Sequence, residues 1–149
     1  MKTVILENIR SAYNVWNIIR TADALWRNVW ITGYTPSPEY HKKVVKTSLG
    51  AEQNIWLIQF GNTQEAINFA KDKGMKVIAA EVTKEAQDLK SASLENKNPD
   101  IAIIFWNEVD WVLSSTLSTV DQVVYIPKQW IKESLNVWQK AAIFKLAIN

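Results

Sequence analysis

The chain alternates short runs of β-forming residues with segments in which apolar residues recur at helical spacing. Residues 101–105 are apolar at every position, which is typical of a strand that is buried on both faces. Strands separated by helices form βαβ units, and such units build a parallel sheet that helices cover on both faces. The pattern therefore predicts an α/β fold with a mostly parallel sheet, in which residues 101–105 hold a central position.

Periodicity and turn-forming residues set the expected bounds of the elements. The predicted strands cover residues 4–6, 29–32, 55–60, 76–81, 101–105 and 122–126. The predicted helices cover 11–25, a short basic segment with His41 and Lys42, 63–74, 108–113 and 134–148, and a weakly amphipathic stretch over 83–94. Because no repeat, low-complexity tract or linker divides the sequence, we expect a single domain over residues 1–149.

Composition excludes several classes of protein. The chain has no cysteine and one histidine, so disulfides, thiolate metal sites and histidine clusters are excluded. Its longest apolar run, residues 101–106, is far shorter than the ~20 residues that a membrane-spanning helix needs. The first residues lack the apolar region and cleavage site of a signal peptide, so we expect a cytoplasmic protein. The net charge of +2 permits nucleic-acid binding but does not argue for it.

Three segments stand out along the chain. They are NVWNIIRTADALW at 14–26, FWNEVDWV at 105–112 and IPKQWIKESLNVWQKAAI at 126–143. The second and third follow predicted strands. Because open α/β sheets bind ligands at the carboxyl ends of their strands, these loops are where we expect chemistry.

The three segments resemble the signature motifs of the SpoU (TrmH-like) RNA 2′-O-ribose methyltransferases, of the SPOUT trefoil-knot class. Their order, spacing and non-glycine residues match the motifs over nearly the whole chain. The resemblance implies a C-terminal trefoil knot, which ordinary folds avoid, and a homodimer. It also implies an S-adenosylmethionine cofactor bent within the knot, and a tRNA or rRNA substrate that is methylated without a metal ion.

The resemblance also implies a role for individual residues. Arg20 would engage the RNA near the reacting ribose and assist deprotonation of the 2′-hydroxyl. The residues that would line the catalytic site with it are Asn14, Glu108, Ser134 and Asn136. The residues that would bind the cofactor are Phe105, Trp106, Ile126, Leu135 and Trp130.

Tryptophan stands at six positions where the family it resembles has glycine or another small residue. These are Trp16, Trp26, Trp106, Trp111, Trp130 and Trp138. The chain has eight tryptophans and four glycines, although average usage of about 7% would give roughly ten glycines. Because tryptophan is far bulkier than the bare backbone it replaces, we hypothesise an engineered variant whose cofactor pocket is filled.

Lysines make a further difference from the family. Lys128 stands where the family usually has methionine. Lys140 and Lys145 lie in the last predicted helix, where the family is small or apolar and forms its dimer interface. Since an unpaired buried charge is costly, we expect a weakened dimer or a monomer if these lysines face the partner.

Three functions stay open from the sequence. The first is the methyltransferase, the second is an engineered or cofactor-free knotted scaffold, and the third is an RNA-binding module that uses Arg20 and a basic segment with Lys43 and Lys46. Individual residues also have structural alternatives. Arg20 could form a surface ion pair with Asp23, and Ser134 could cap the last helix. Asn136, expected inside the first turn of that helix, has less structural reason to be there.

Overall fold

The computed structural model describes residues 1–25, 28–38, 55–92, 100–107, 114–127 and 135–148. The strands are β1 Lys2–Glu7, β2 Asn28–Thr32, β3 Trp56–Phe60, β4 Lys76–Ala80, β5 Gln87–Asp88, β6 Ile101–Trp106 and β7 Gln122–Tyr125. The helices are α1 Ala12–Leu25, α2 Thr63–Asp72, α3 Ser114–Thr119 and α4 Val137–Ile148. The strands form one sheet in the order β3-β2-β1-β6-β4-β7-β5, and every neighbouring pair is parallel. The predicted fold class and the central position of β6 are confirmed.

Alternate residues of the central strands face two separate cores. Val4, Leu6 and Phe105 face the first core, to which α1 and α4 contribute their apolar residues. Ile5 and Ile104 face the second core, which α2 covers. Helices thus cover both faces of the sheet, and successive side chains of a strand point into opposite cores as pleating requires.

The first core is closed by the pairing of α1 with α4. Helix α1 buries Val15, Ile18, Ile19 and Ala22, which recur at the predicted helical spacing. The Ser11 hydroxyl accepts a hydrogen bond from the Asn14 N–H at 3.3 Å, at the point where α1 begins. These contacts fix α1 and its polar residues beside α4.

The second core centres on an aromatic cluster. The rings of Trp30, Phe60 and Phe69 lie with their centroids 5.3–5.5 Å apart in tilted or edge-on contacts. Asn62 caps α2 by accepting a hydrogen bond from the Glu65 N–H at 2.9 Å. The Glu65 carboxylate in turn accepts from the Gly61 N–H at 3.0 Å, which completes a reciprocal cap.

Three elements differ from the sequence prediction. The helix predicted over 83–94 is wrong, because β5 pairs with β7 there and the Asp88 carboxylate accepts from the Lys90 N–H at 2.8 Å in a turn. Helix α3 was not predicted, since its run of serine and threonine has no apolar periodicity. Helix α4 begins at Val137 rather than at residue 134. The predicted helices at 108–113 and around His41 lie outside the described residues.

Candidate active site

The loops at the carboxyl ends of β1, β2 and β6 are tied together by one amide side chain. The Asn107 side-chain amide donates to the Asn8 carbonyl oxygen at 2.8 Å and to the Tyr34 hydroxyl at 2.9 Å. Asn8 has a positive φ of 50°, and its side-chain oxygen accepts from the Tyr34 N–H at 3.3 Å. This network fixes the backbone next to Glu108. Asn107 was not predicted as a functional residue. Its position between the end of a strand and Glu108 was a usable signal.

A cleft of about 380 Å³ opens where β4 and β7 end and α4 begins. Its lining combines apolar side chains with one acidic and one basic residue. The lining residues are Ala80, Glu81, Val82, Tyr125, Ile126, Leu135, Lys140 and Phe144. Ile126 and Leu135 were both predicted to bind the cofactor. The residues from β4, which carried no motif, were not predicted.

Phe105 lies next to this cleft but is itself buried. Its ring meets the ring of the cleft residue Phe144 at a centroid distance of 5.6 Å, edge to face. Phe105 therefore packs against Phe144 without lining the cleft itself. Three of the five predicted cofactor residues, Phe105, Ile126 and Leu135, come together here.

Trp106 lies on the opposite side of the sheet. Its partly buried side chain packs against the second core, the core that α2 covers. Trp16 and Trp138 pack against the first core, and neither lines the cleft. Trp26, Trp111 and Trp130 lie outside the described residues. The hypothesis that tryptophans fill the cofactor pocket therefore stays a prediction, which none of the three described tryptophans supports.

Helix α1 presents the predicted catalytic cation to solvent. Arg20 is exposed, and its guanidinium carbon lies 5.3 Å from the centroid of the Trp16 ring. The centroid of the Tyr13 ring lies 5.5 Å from the centroid of the Trp16 ring. The ion pair with Asp23 does not form, so the structural alternative for Arg20 is wrong. Asn14 is half-buried in the first turn of the same helix.

Asn136 stands at a different helix position from the one expected. It is exposed and directly precedes α4, and its backbone N–H donates to the Gln139 side-chain oxygen at 3.0 Å. This bond uses the backbone of Asn136 and not its side chain, so the predicted role of the side chain in the site stays a prediction. Glu108 and Ser134 lie outside the described residues, so their predicted roles stay predictions.

A buried carboxyl group lies at the carboxyl end of β1. Glu7 is 3% exposed, and one of its oxygens accepts a hydrogen bond from the Thr116 hydroxyl of α3 at 3.2 Å. Burial raises the pKa of Glu7, and hydrogen bonds from Thr63 and Thr116 oppose part of that rise. The Thr63 hydroxyl also lies 2.8 Å from the Thr32 hydroxyl. Glu7 thus links α2 and α3 to the strand that precedes the first motif.

Two kinds of feature were not found in the part of the chain that the structure describes. No group of three or more acidic or histidine side chains is placed to hold a metal ion there. No helix within the same residues is long and apolar enough to cross a membrane.

A parallel sheet with a cleft at its carboxyl edge defines a ligand-binding α/β protein. The SpoU rRNA Methylase family matches residues 1–145. The chain therefore belongs to this family, and the resemblance stated from its motifs is confirmed.

Relatives and solved structures agree with the family. The tRNA (guanosine(18)-2′-O)-methyltransferase of Thermus thermophilus is 29% identical over 145 residues, which is 95% of this chain and 70% of the relative. The 23S rRNA (guanosine-2′-O-)-methyltransferase RlmB of Neisseria meningitidis is 29% identical over 135 residues, 90% of this chain and 52% of the relative. An RNA methyltransferase structure of the TrmH family from Porphyromonas gingivalis matches 98% of this chain and 58% of its own, with a TM-score of 0.85 and 26% identity.

The same fold has been solved with the cofactor present. The AdoMet-bound rRNA methyltransferase of Sinorhizobium meliloti has a TM-score of 0.85 over 98% of this chain and 54% of its own, at 22% identity. This likeness concerns the fold. The chain spans between about half and 70% of the length of these relatives and structures.

Proposed function

We propose that this chain is an S-adenosylmethionine-dependent methyltransferase that modifies the 2′-oxygen of a ribose in tRNA or rRNA. The observation that carries the proposal is the cleft at the carboxyl edge of the sheet, which is lined by Ile126 and Leu135. The buried Phe105 packs against the cleft residue Phe144. The names of the Thermus and Neisseria relatives support guanosine in structured RNA as the substrate class. We propose that residues 1–149 form one domain.

The chemistry of the cleft fits the cofactor. Its volume of about 380 Å³ falls within the range of small-molecule sites. Ile126, Leu135 and Phe144 offer an apolar surface suited to an adenine ring, and Glu81 and Lys140 offer charges suited to a polar end. When bound, S-adenosylmethionine supplies the methyl group that is transferred. The predicted contacts of Trp106 and Trp130 are not needed for this fit.

The residues of α1 supply the RNA side of the proposed site. Arg20 is an exposed cation that makes no ion pair among the described residues, so its guanidinium is available to bind a phosphate or the ribose. A guanidinium held beside the ribose favours loss of the 2′-hydroxyl proton, because it stabilises the developing negative charge on oxygen. Asn14 lies on the same helix, less than two turns before Arg20. Glu108, Ser134 and Asn136 complete the proposed lining.

A homodimer with a C-terminal knot completes the proposal. The outer side of α4 exposes Leu146 by 74% and Ile143 by 37%, and exposed apolar side chains on one helix favour contact with a second copy. Because Lys140 lines the cleft, we propose that it does not oppose this contact. The expectation that Lys145 weakens the dimer stays a prediction.

Calorimetry with S-adenosylmethionine, followed by methyl transfer to unmodified tRNA and rRNA transcripts, tests the proposed function. We expect saturable binding of the cofactor and incorporation of methyl groups that an Arg20→Ala variant does not support. A folded protein that binds neither S-adenosylmethionine nor its demethylated product would favour the cofactor-free scaffold. Salt-dependent RNA binding by such a protein would favour the RNA-binding module.

A further inference from the structure

The cleft places two opposite charges in an otherwise apolar lining. Glu81 directly follows β4, and Lys140 lies in the first turn of α4. One Glu81 oxygen accepts a hydrogen bond from the neighbouring Val82 N–H at 2.7 Å. Among the described residues, none forms an ion pair or a side-chain hydrogen bond with the Lys140 ammonium. The cleft therefore offers an available cation and a partly occupied carboxylate.

A ligand that matches this lining has an apolar body and a zwitterionic end. S-adenosylmethionine carries an adenosine at one end and an α-amino acid, with one ammonium and one carboxylate, at the other. Charge-assisted hydrogen bonds are about twice as strong as neutral ones, so two such pairs would orient the amino-acid end. The apolar side chains of the cleft offer no hydrogen bond to the amino acid.

We propose that Lys140 binds the carboxylate, and Glu81 the ammonium, of the amino-acid end of the cofactor. This inference rests on the proposed function. It assigns selectivity for the amino-acid end of the cofactor to Glu81 and Lys140. Neither residue was predicted to bind the cofactor, and Lys140 was expected at the dimer interface. The adenosine is held by Ile126, Leu135 and Phe144, so the two ends of the ligand are recognised independently.

Two ligands that differ only at the amino-acid end test the assignment. S-adenosylhomocysteine carries the amino acid, 5′-methylthioadenosine lacks it, and neither carries the sulfonium charge. In calorimetry we expect Lys140→Met to weaken binding of S-adenosylhomocysteine about tenfold, the effect of one lost hydrogen bond to a charged group. Binding of 5′-methylthioadenosine should not change. Glu81→Gln should weaken binding of S-adenosylhomocysteine by a smaller factor than Lys140→Met does. It should leave binding of 5′-methylthioadenosine unchanged.

The control variant is Lys73→Met, which removes a lysine from the opposite side of the sheet, where it lies over the Phe69 ring. It should bind both ligands as the parent protein does. Equal weakening of both ligands by Lys140→Met, or no weakening of either, would overturn the assignment. If the parent protein binds neither ligand, the proposed function itself fails.

The tryptophans carry a second inference, from a different observation. Trp30 is 1% exposed within the aromatic cluster of the second core, as expected of a core tryptophan. Trp16 instead buries its indole N–H without a hydrogen-bond partner, which costs free energy. The chain also lacks about six of the roughly ten glycines that average usage predicts, and six tryptophans stand in the motifs.

We infer that the cell that makes this protein inserts glycine at the six motif positions. The codon UGA is a stop in the standard code, is read as tryptophan in some genetic codes and is read as glycine in others. Suppose that the cell reads UGA as glycine and that the gene was translated with a code that reads UGA as tryptophan. Every UGA position would then appear as tryptophan, which is the pattern seen here. Trp30 and Trp56, which lie outside the motifs, would be encoded by UGG.

The nucleotide sequence of the gene tests this inference directly. We expect UGA at positions 16, 26, 106, 111, 130 and 138 and UGG at 30 and 56, with glycine at the six positions in peptides from the native protein. UGG at all eight positions would support engineered replacement and overturn the inference. Tryptophan in the native peptides would also overturn it.

Discussion

The two faces of the sheet differ in how completely their cores are packed. The face covered by α2 holds the ring cluster of Trp30, Phe60 and Phe69 and a helix with a reciprocal cap. The face covered by α1 and α4 carries Arg20 and the cleft at Ile126. Both faces bury a polar atom without a hydrogen-bond partner, the Glu7 Oε2 atom beside α2 and the Trp16 indole N–H on the other side. The α1–α4 face also opens into the cleft.

This difference indicates a division of work between the faces. A complete core supplies stability in proportion to the apolar surface that it buries. A face that binds ligands must keep exposed charge and open volume, which add little stability. We therefore expect substitutions on the α2 face to change unfolding, and substitutions on the α1–α4 face to change binding and catalysis. Four experiments test this comparison.

The largest expected effect is on stability. Trp30→Ala should lower the free energy of unfolding by about 3–5 kcal/mol, because it empties the centre of the aromatic cluster. In the chain with tryptophan at position 16, Trp16→Ala should lower this free energy by no more than about 1 kcal/mol, since it also removes a buried N–H without a partner. Denaturant unfolding measures both. Equal losses would show that the two faces are equally packed.

The second effect is on catalysis. Arg20→Ala should lower kcat/KM for RNA methylation about 100-fold, the lower end of the range for a group that assists proton transfer. Lys73→Ala is the matched control, because its ammonium lies 4.7 Å from the Phe69 ring centroid as Arg20 lies over Trp16. The kcat/KM of this control should stay within about twofold of that of the parent protein. A loss of kcat/KM of less than about tenfold for Arg20→Ala would show that Arg20 does not assist the reaction.

The third effect concerns the cap of α2. Asn62→Ala should destabilise the protein by about 1 kcal/mol, because the Glu65 N–H loses its acceptor. Asn68→Ala is the control, since Asn68 accepts only an exposed hydrogen bond from the Gln64 amide within the helix. It should cost less than about 0.5 kcal/mol. Thermal melts compare the two, and methylation by Asn62→Ala should be unchanged below its melting transition.

The smallest effect is the pH dependence from Glu7, because two threonine hydroxyls oppose the effect of its burial. A raised pKa means that the folded protein binds the proton more tightly than the unfolded chain. This contribution to stability is therefore complete below the ordinary Glu pKa of 4.5 and is lost as pH rises through the raised pKa. Glu7→Gln should be more stable than the parent at neutral pH, and the difference should disappear in acid. A pH-independent difference for Glu7→Gln would contradict the burial effect.

Much of the fold was predictable because it depends on local pattern. Continuous apolar residues identified β6 as a central strand, and helical spacing identified the buried residues of α1. Where the pattern was weak, prediction failed. Residues 83–94 are too polar to distinguish a helix from a turn and a two-residue strand, and α3 lacks an apolar stripe.

The site was predictable only in part, for a related reason. The motifs gave Ile126 and Leu135, which line the cleft, because these residues lie in a segment that resembles a family. The predicted role of Arg20 stays a prediction. The motifs did not give Glu81 or Asn107, whose importance depends on which loops meet in space. The helix position of Asn136 was wrong, because the first residue of α4 was placed three positions too early.

The sequence by itself determined most of the elements, the α/β class and the family, because periodicity and motif order are properties of the chain. Only the tertiary structure decided which residues share a site. The insertion of β6 between β1 and β4 sets which strand ends meet, and it brings the end of β4 next to α4. It also decided that Phe105 faces the cleft side while its neighbour Trp106 faces the α2 core, because pleating sends successive side chains to opposite faces.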